Sequence, residues 1–200
     1  VYQKIYLGDI AARNNVTNVF GLKVMIKKIA ESVKQPISFN RMANIISTTG
    51  TKLSTTSAVK YMGYLEEAWL INRVTNIASK LADKEGNAKY YFTDNGILNL
   101  FLIDAETSLL ENLVAIYLTR KYGREDAVFF YNKGIEVDFY IPEDETAIQV
   151  SYSLKDEETR IREVKALKSL QKVLPCKNLF IITYDDEDNW NLADDNITVM

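Results

Sequence analysis

Apolar residues recur through the first third of the chain at steps of three and four, the period of a helix with one buried face. Val19, Leu22, Met25 or Ile26, Ile29 and Val33 share one stripe, and Gln35-Pro36 stops it, so residues 19–33 are predicted to form a helix. Ser38 stands at an N-cap position ahead of Phe39, Met42, Ile45 and Ile46, and the polar stretch around Gly50 reads as a turn. A third helix is expected from Ser54 or Thr55, with Val59, Met62, Leu65 and Trp69 on its apolar side. Two strand-like runs, residues 70–77 and 89–94, then flank a long charged loop over residues 78–88.

Helix, helix, turn, helix and hairpin, in that order, make the pattern of a winged helix-turn-helix across residues 18–103. After it the rhythm changes. A helix is expected over residues 107–122, then strands at 127–132, 135–141 and 146–152, a helix at 156–174 and a strand at 178–183. Helix, three strands, helix and strand argue for an α/β sandwich. The predicted organisation is therefore mixed α/β: a winged helix-turn-helix domain with a helical lead-in over residues 1–104, and a second α/β domain over 105–200, with the boundary near residues 104–107. Residues 185–188 are an acidic run expected to be a solvated turn.

The second and third of those strands carry the candidate chemistry. A symmetric hairpin turning at Pro142, Glu143, Asp144 and Glu145 sets Asp138 opposite Gln149, Glu136 opposite Ser151 and Tyr140 opposite Ala147. Alternation then sends Ile135, Val137, Phe139 and Ile141, with Ile148, Val150 and Tyr152, to the other, core-facing side. Two readings of the polar face stay open on spacing alone. It is the solvated side of an amphipathic hairpin, or it is a set of oxygen ligands converging on a cation that polarises a phosphoryl group and lowers the pKa of a bound water. Glu111, on the preceding helix, is a further candidate ligand, and Lys133 and Lys155 are the nearest candidate cations.

Composition narrows the metal chemistry. The 200 residues include no histidine and one cysteine, Cys176, which excludes an internal disulfide, a His-based triad and most zinc sites. Any metal would be held by oxygen, which favours magnesium or manganese. The segment TTGTKLSTT at residues 48–56 does not satisfy GxxxxGK[ST], so no nucleotide-binding loop is present. No run of about 18 apolar residues suggests a membrane span, and the N-terminus lacks a secretory signal, so a cytoplasmic protein is expected. The chain starts at Val1, as expected of a stretch cut from a longer protein. The net charge of −3 argues against an indiscriminate nucleic-acid binder. Local contacts remain open: Ser54, Thr55, Thr56, Ser57 and Lys60 at the start of the third helix, and Lys80, Lys84 and Lys89 around the hairpin, are positioned to touch a nucleic-acid backbone. A helix of this kind also serves as a protein-interaction module.

The hairpin resembles the PD-(D/E)XK (restriction-endonuclease-like) fold, in which an Asp and an acid or Gln on neighbouring strands hold a divalent metal and a Lys two residues on assists the attacking water. The resemblance marks Asp138, Gln149 and Glu136 as the matching positions, with Ser151 standing where the lysine belongs, which implies a nuclease-type scaffold whose chemistry is lost. Over nearly its whole length the chain also resembles the C-terminal region of bacterial and archaeal AAA-type ATPases. The matching stretches are residues 38–50, 57–71, KYYFTDNGI at 89–97, LLENLVAIYL at 109–118, GIEVDF at 134–139 and IQVSYSLKDEETRIREVKAL at 148–167. That resemblance implies an ATPase module upstream as partner, DNA as a candidate ligand, and room for a homo-oligomer. Three functions follow as expectations: a nucleic-acid- or partner-binding module with a degenerate nuclease-like domain, a magnesium-dependent endonuclease using Asp138 and Gln149, or a protein–protein adaptor.

Overall fold

A computed structural model describes residues 2–103, 105–123, 126–184 and 196–200. The chain is mixed α/β and divides into two compact units, residues 1–73 with 85–105, and residues 74–84 with 106–200. The turn segment 74–84, expected with the first unit, therefore groups with the second.

The first unit opens with a π-helix, Lys4–Ala12, tied down where the Tyr6 hydroxyl donates to the Val19 carbonyl at 2.6 Å. Helix α1, Val19–Glu31, follows, its first turn closed by Asn18, whose side chain accepts from the Gly21 amide. A short strand β1, Ile37–Ser38, leads into α2, Phe39–Ser47, and the Ser38 hydroxyl accepts from the Arg41 amide. Ser54 caps α3, Thr55–Glu67, in the same way, accepting from Ser57. Both serines occupy the cap positions read from the sequence. The apolar stripes bury in part: Leu22, Met25, Ile26 and Ile29 from α1, Met42 and Ile46 from α2, and Met62 and Leu65 from α3 are buried, whereas Val19, Val59 and Trp69, expected on the same stripes, are exposed. Strand β3, Asn87–Phe92, pairs antiparallel with β1, Ile37 opposite Ala88, and packs on α1. Helix α5, Asn95–Asn99, is capped by Asp94 and was not anticipated.

Strand β2, Ile71–Asn76, leaves the first unit at Arg73 and enters the second. The loop expected after it contains a short helix, α4, Leu81–Gly86. In the second unit, α6, Glu106–Tyr122, precedes three antiparallel strands: β4, Phe129–Asn132; β5, Glu136–Ile141; and β6, Thr146–Val150. Helix α7, Glu157–Leu170, crosses to β7, Asn178–Ile182, which runs parallel to β6, and β8, Thr198–Val199, adds in parallel beyond it. The strands lie in the order β4-β5-β6-β7-β8, with the end of β2 parallel to β4. The order helix, three strands, helix, strand follows the sequence pattern, and β8 and the end of β2 add to it. The 185–188 run lies outside the described residues.

The hairpin register matches the expectation: Tyr140 pairs with Ala147 and Ile141 with Thr146, and the Glu145 amide closes the turn on Pro142. What differs is burial. Val137, Phe139 and Ile141 are buried, but so are Tyr140, Ala147 and Gln149 on the alternate face. Helix α7 lies over that face, joining Leu167 and Leu170 to Tyr140, Ala147, Leu179 and Ile181 in one cluster. A strand covered on both sides loses the polar–apolar alternation that a half-solvated strand would keep.

Candidate functional site

The ladder between β5 and β6 gives way to side chains at the position of interest. The Asp138 amide donates to Gln149 Oε1 at 2.9 Å, and the Val150 amide donates to Asp138 Oδ2 at 2.9 Å. Each side chain therefore completes the backbone of the opposite strand. The remaining end of the amide, Gln149 Nε2, donates to the Glu136 carbonyl at 3.2 Å and to Glu163 Oε2 at 2.7 Å. Gln149 is 4% exposed and sits in a clasp that joins β5, β6 and α7.

Glu163 is the residue that sequence reasoning missed. It projects from α7 onto the polar face and is 6% exposed. Its neighbour Arg162 holds one carboxylate oxygen with two donors, Nη2 at 2.6 Å and Nε at 3.1 Å, while Gln149 holds the other. Burial pushes the Glu163 carboxyl above the usual carboxylate range; the Arg162 and Gln149 donors act against that shift, and the Asp138 charge adds to it. Asp138 and Glu163 thus share one field, with the Arg162 guanidinium as the nearby cation, its own pKa raised first by the bond to Glu163. The signal was present in the spacing: Glu163 lies three, four and seven residues before Ala166, Leu167 and Leu170, on the helix's buried stripe.

The other sequence candidates are placed as follows. Glu136 is half-buried, and its backbone carbonyl belongs to the clasp. Glu111 is buried in α6 beside Asn112. The Ser151 hydroxyl donates to the Ser153 carbonyl at 3.1 Å. Lys133 and Lys155 are both exposed. Among the described residues, no group of three or more Asp, Glu or Cys is arranged to hold a metal ion. Magnesium keeps several of its waters and needs only one or two carboxylates turned toward it. Here the amide oxygen of Gln149 faces the Asp138 amide and one Asp138 oxygen faces the Val150 amide, so both side chains are engaged with the neighbouring backbone. Cys176 is half-buried, and burial, with the Glu145 charge, pushes its thiol to about 11, so it is not a thiolate at neutral pH.

At the start of α3, Ser54 and Ser57 serve the cap, their hydroxyls 3.0 Å apart, and the Thr55 hydroxyl donates to Asn40 at 2.8 Å. Thr56 and Lys60 face outward. Around the hairpin the lysines differ. Lys80 is exposed, Lys84 lies over the Phe129 ring with Nζ 5.0 Å from its centroid, and Lys89 is fully buried on β3. Lys89 faces the interior, as do Tyr90, Tyr91 and Phe92 beside it, so none of these offers a surface for a nucleic-acid backbone or base. No described helix is long and apolar enough to cross a membrane.

Comparison with known proteins places the chain in a family, on residues that precede the clasp. Residues 1–124 match the family model described as Domain of unknown function (DUF8612). An uncharacterized protein of Methanocaldococcus jannaschii, MJ1544, is 33% identical over 190 residues, covering 92% of this chain and 42% of that protein. An uncharacterized protein of Haemophilus influenzae is 29% identical over 148 residues, covering 70% of this chain and 35% of that protein. The chain spans less than half the length of these curated relatives. No solved structure matches.

Proposed function

We propose that this chain, which belongs to that family of domains of unknown function, is a binding module of a larger protein: a winged-helix unit that contacts nucleic acid, followed by a nuclease-type scaffold without metal chemistry. The observation that carries the second part is the reciprocal clasp of Asp138 and Gln149. The side chains that a nuclease would turn toward a cation are spent on the neighbouring backbone, and Ser151 offers no positive charge to stabilise a developing anion. The order α6, β4, β5, β6, α7, β7, with β7 parallel to β6, supports the nuclease-type scaffold, because it places Asp138 and Gln149 on adjacent central strands.

The winged-helix reading is supported by the order α1, β1, α2, α3, β2, β3 and by the pairing of β1 with β3. Charge favours nucleic acid over an adaptor role for this unit. It carries eleven Lys and Arg against seven Asp and Glu, a net of +4, while the second unit carries thirteen against twenty, a net of −7. The contact is assigned to the outward side of α3, at Thr56 and Lys60. An upstream ATPase module in the same protein remains part of the proposal, in keeping with relatives more than twice this length.

The test is fluorescence anisotropy of a labelled duplex titrated with the chain. Binding through several phosphates weakens steeply as salt rises. Lys60→Glu should weaken it by about tenfold if Lys60 and the charge it replaces face one phosphate. No binding at low salt, or binding indifferent to Lys60→Glu, would leave a protein-interaction module instead.

A second reading has one specific observation in its favour. Asp138 and Glu163 lie in one field with Arg162 beside them, so two carboxylates and a guanidinium could replace the usual acid and lysine. That endonuclease reading requires divalent-metal cleavage of DNA that is lost when Asp138 or Glu163 is changed.

A further inference from the structure

Helix α6 is buried along most of its circumference, yet one stripe of it is open to solvent. At about 100° per residue, Glu106, Leu110, Leu113, Tyr117 and Arg120 fall within a narrow arc, separated by steps of four, three, four and three residues. That is the spacing of a seam between two packed helices. Its apolar centre is uncovered: Leu113 is 53% exposed and Tyr117 61% exposed. Next to them Leu113, Ile116, Tyr117, Arg120 and Lys121 line a shallow hollow of about 440 Å³, large enough to receive side chains of a facing helix.

The charges say which helix would face it. The seam begins with Glu106 and ends with Arg120, seven residues on either side of Leu113. We propose that the α6 seam is a homodimer contact, in which the same helix of a second copy packs antiparallel across a two-fold axis at Leu113. This operation lays Glu106 against Arg120 of the other copy twice, Leu110 beside Tyr117 of the other copy twice, and Leu113 against itself. A parallel arrangement would put Glu106 on Glu106 and Arg120 on Arg120. A two-fold contact is self-complementary by definition, and a stripe with an acid at one end, a base at the other and leucine at the centre meets that condition with no other partner needed. One helix pair buries less than the ~1,200 Å² of a standard interface, so the dimer is of the weak class, with a dissociation constant in the micromolar range.

Sedimentation equilibrium of the chain from about 5 to 500 µM tests this range. The wild type should rise from the 22.9 kDa monomer toward twice that mass. Leu113→Glu places two carboxylates on the axis and should keep the chain monomeric throughout. Glu106→Lys and Arg120→Glu should each weaken the dimer by about tenfold, two like-charge contacts being created in each case, while the two together should restore it to within about threefold. All three positions are exposed, and far-ultraviolet circular dichroism checks that each variant is folded. A wild type that stays monomeric across the range overturns the proposal, and so does a double variant weaker than either single one.

Discussion

Replacing Gln149 by alanine separates a structural clasp from a ligand set. In the wild type this side chain makes three hydrogen bonds: from the Asp138 amide at 2.9 Å, to the Glu136 carbonyl at 3.2 Å and to Glu163 Oε2 at 2.7 Å. Removing it takes one donor from a buried carboxylate and one hydrogen bond from each of two backbone groups of β5. Neutral bonds are worth about 1 kcal/mol each and a bond to a charged group about 2 kcal/mol, which sums to about 4 kcal/mol. A water entering the vacated space recovers part of this, so the expected loss is about 3 kcal/mol. In urea, with a slope of about 2 kcal/mol per molar, the midpoint of the second unit's transition should fall by about 1.5 M. The two units can unfold separately, so the transition is best followed by hydrogen exchange at the amides of Asp138 and Val150, which the clasp protects. A midpoint shift below about 0.5 M, with those amides still protected, would mean that Gln149 is not what joins β5, β6 and α7.

Further outcomes follow from the same contacts. Glu163 has its carboxyl pKa raised by burial, so the folded state holds its proton more tightly than the unfolded chain does. The stability it contributes is complete below the unfolded value of about 4.3 and is lost as pH rises through the higher folded value. Urea midpoints of the wild type and Glu163→Gln, compared from pH 4 to 7, should therefore move in favour of the glutamine variant as pH rises; a constant difference would show that folding does not raise the proton affinity of this carboxyl. Trp69 ends α3 in the left-handed region at φ +54° with 77% of its surface exposed. Trp69→Gly should then raise the first unit's stability by about 0.5–1 kcal/mol, read as a higher melting temperature, because the strain is relieved and little buried surface is lost. A lower melting temperature would mean that the indole packs in a way its exposure does not show.

How far these features could be read from the residues varied with what covers them. Helices α1, α2 and α3 each bury a stripe of helical period, and Ser38 and Ser54 sit at the caps where that period starts, but Val59 and Trp69 share the spacing of α3 and are exposed, so period alone did not say which apolar residues are covered. The β5–β6 register was legible because a four-residue turn sets it, whatever lies on either side. The burial of Gln149 was not legible, since it depends on α7 crossing the strands after a connection that local pattern does not describe. Glu163 was hidden in a charged run, EETRIREVK, where acid and base neighbours read as a solvated face, although its distance from Leu167 and Leu170 put it on the buried stripe. Lys89 misled for a related reason: residues 88–92 are buried on both faces, and a lysine within a strand of that kind gives no alternation to betray it. The division of β2 between the two units goes with the pairing of Thr75 and Asn76 with β4, which is distant in sequence.

If the Asp138–Gln149 pair completes the backbone instead of holding a metal, supercoiled plasmid stays intact in magnesium or manganese. Nicking by the wild type, by Asp138→Ala and by Glu163→Ala decides between the two. The prediction is no metal-dependent nicking above a protein-free control in any of the three. Cleavage by the wild type that requires the metal and disappears in both variants would contradict the claim and establish an active centre built on Asp138, Glu163 and Arg162.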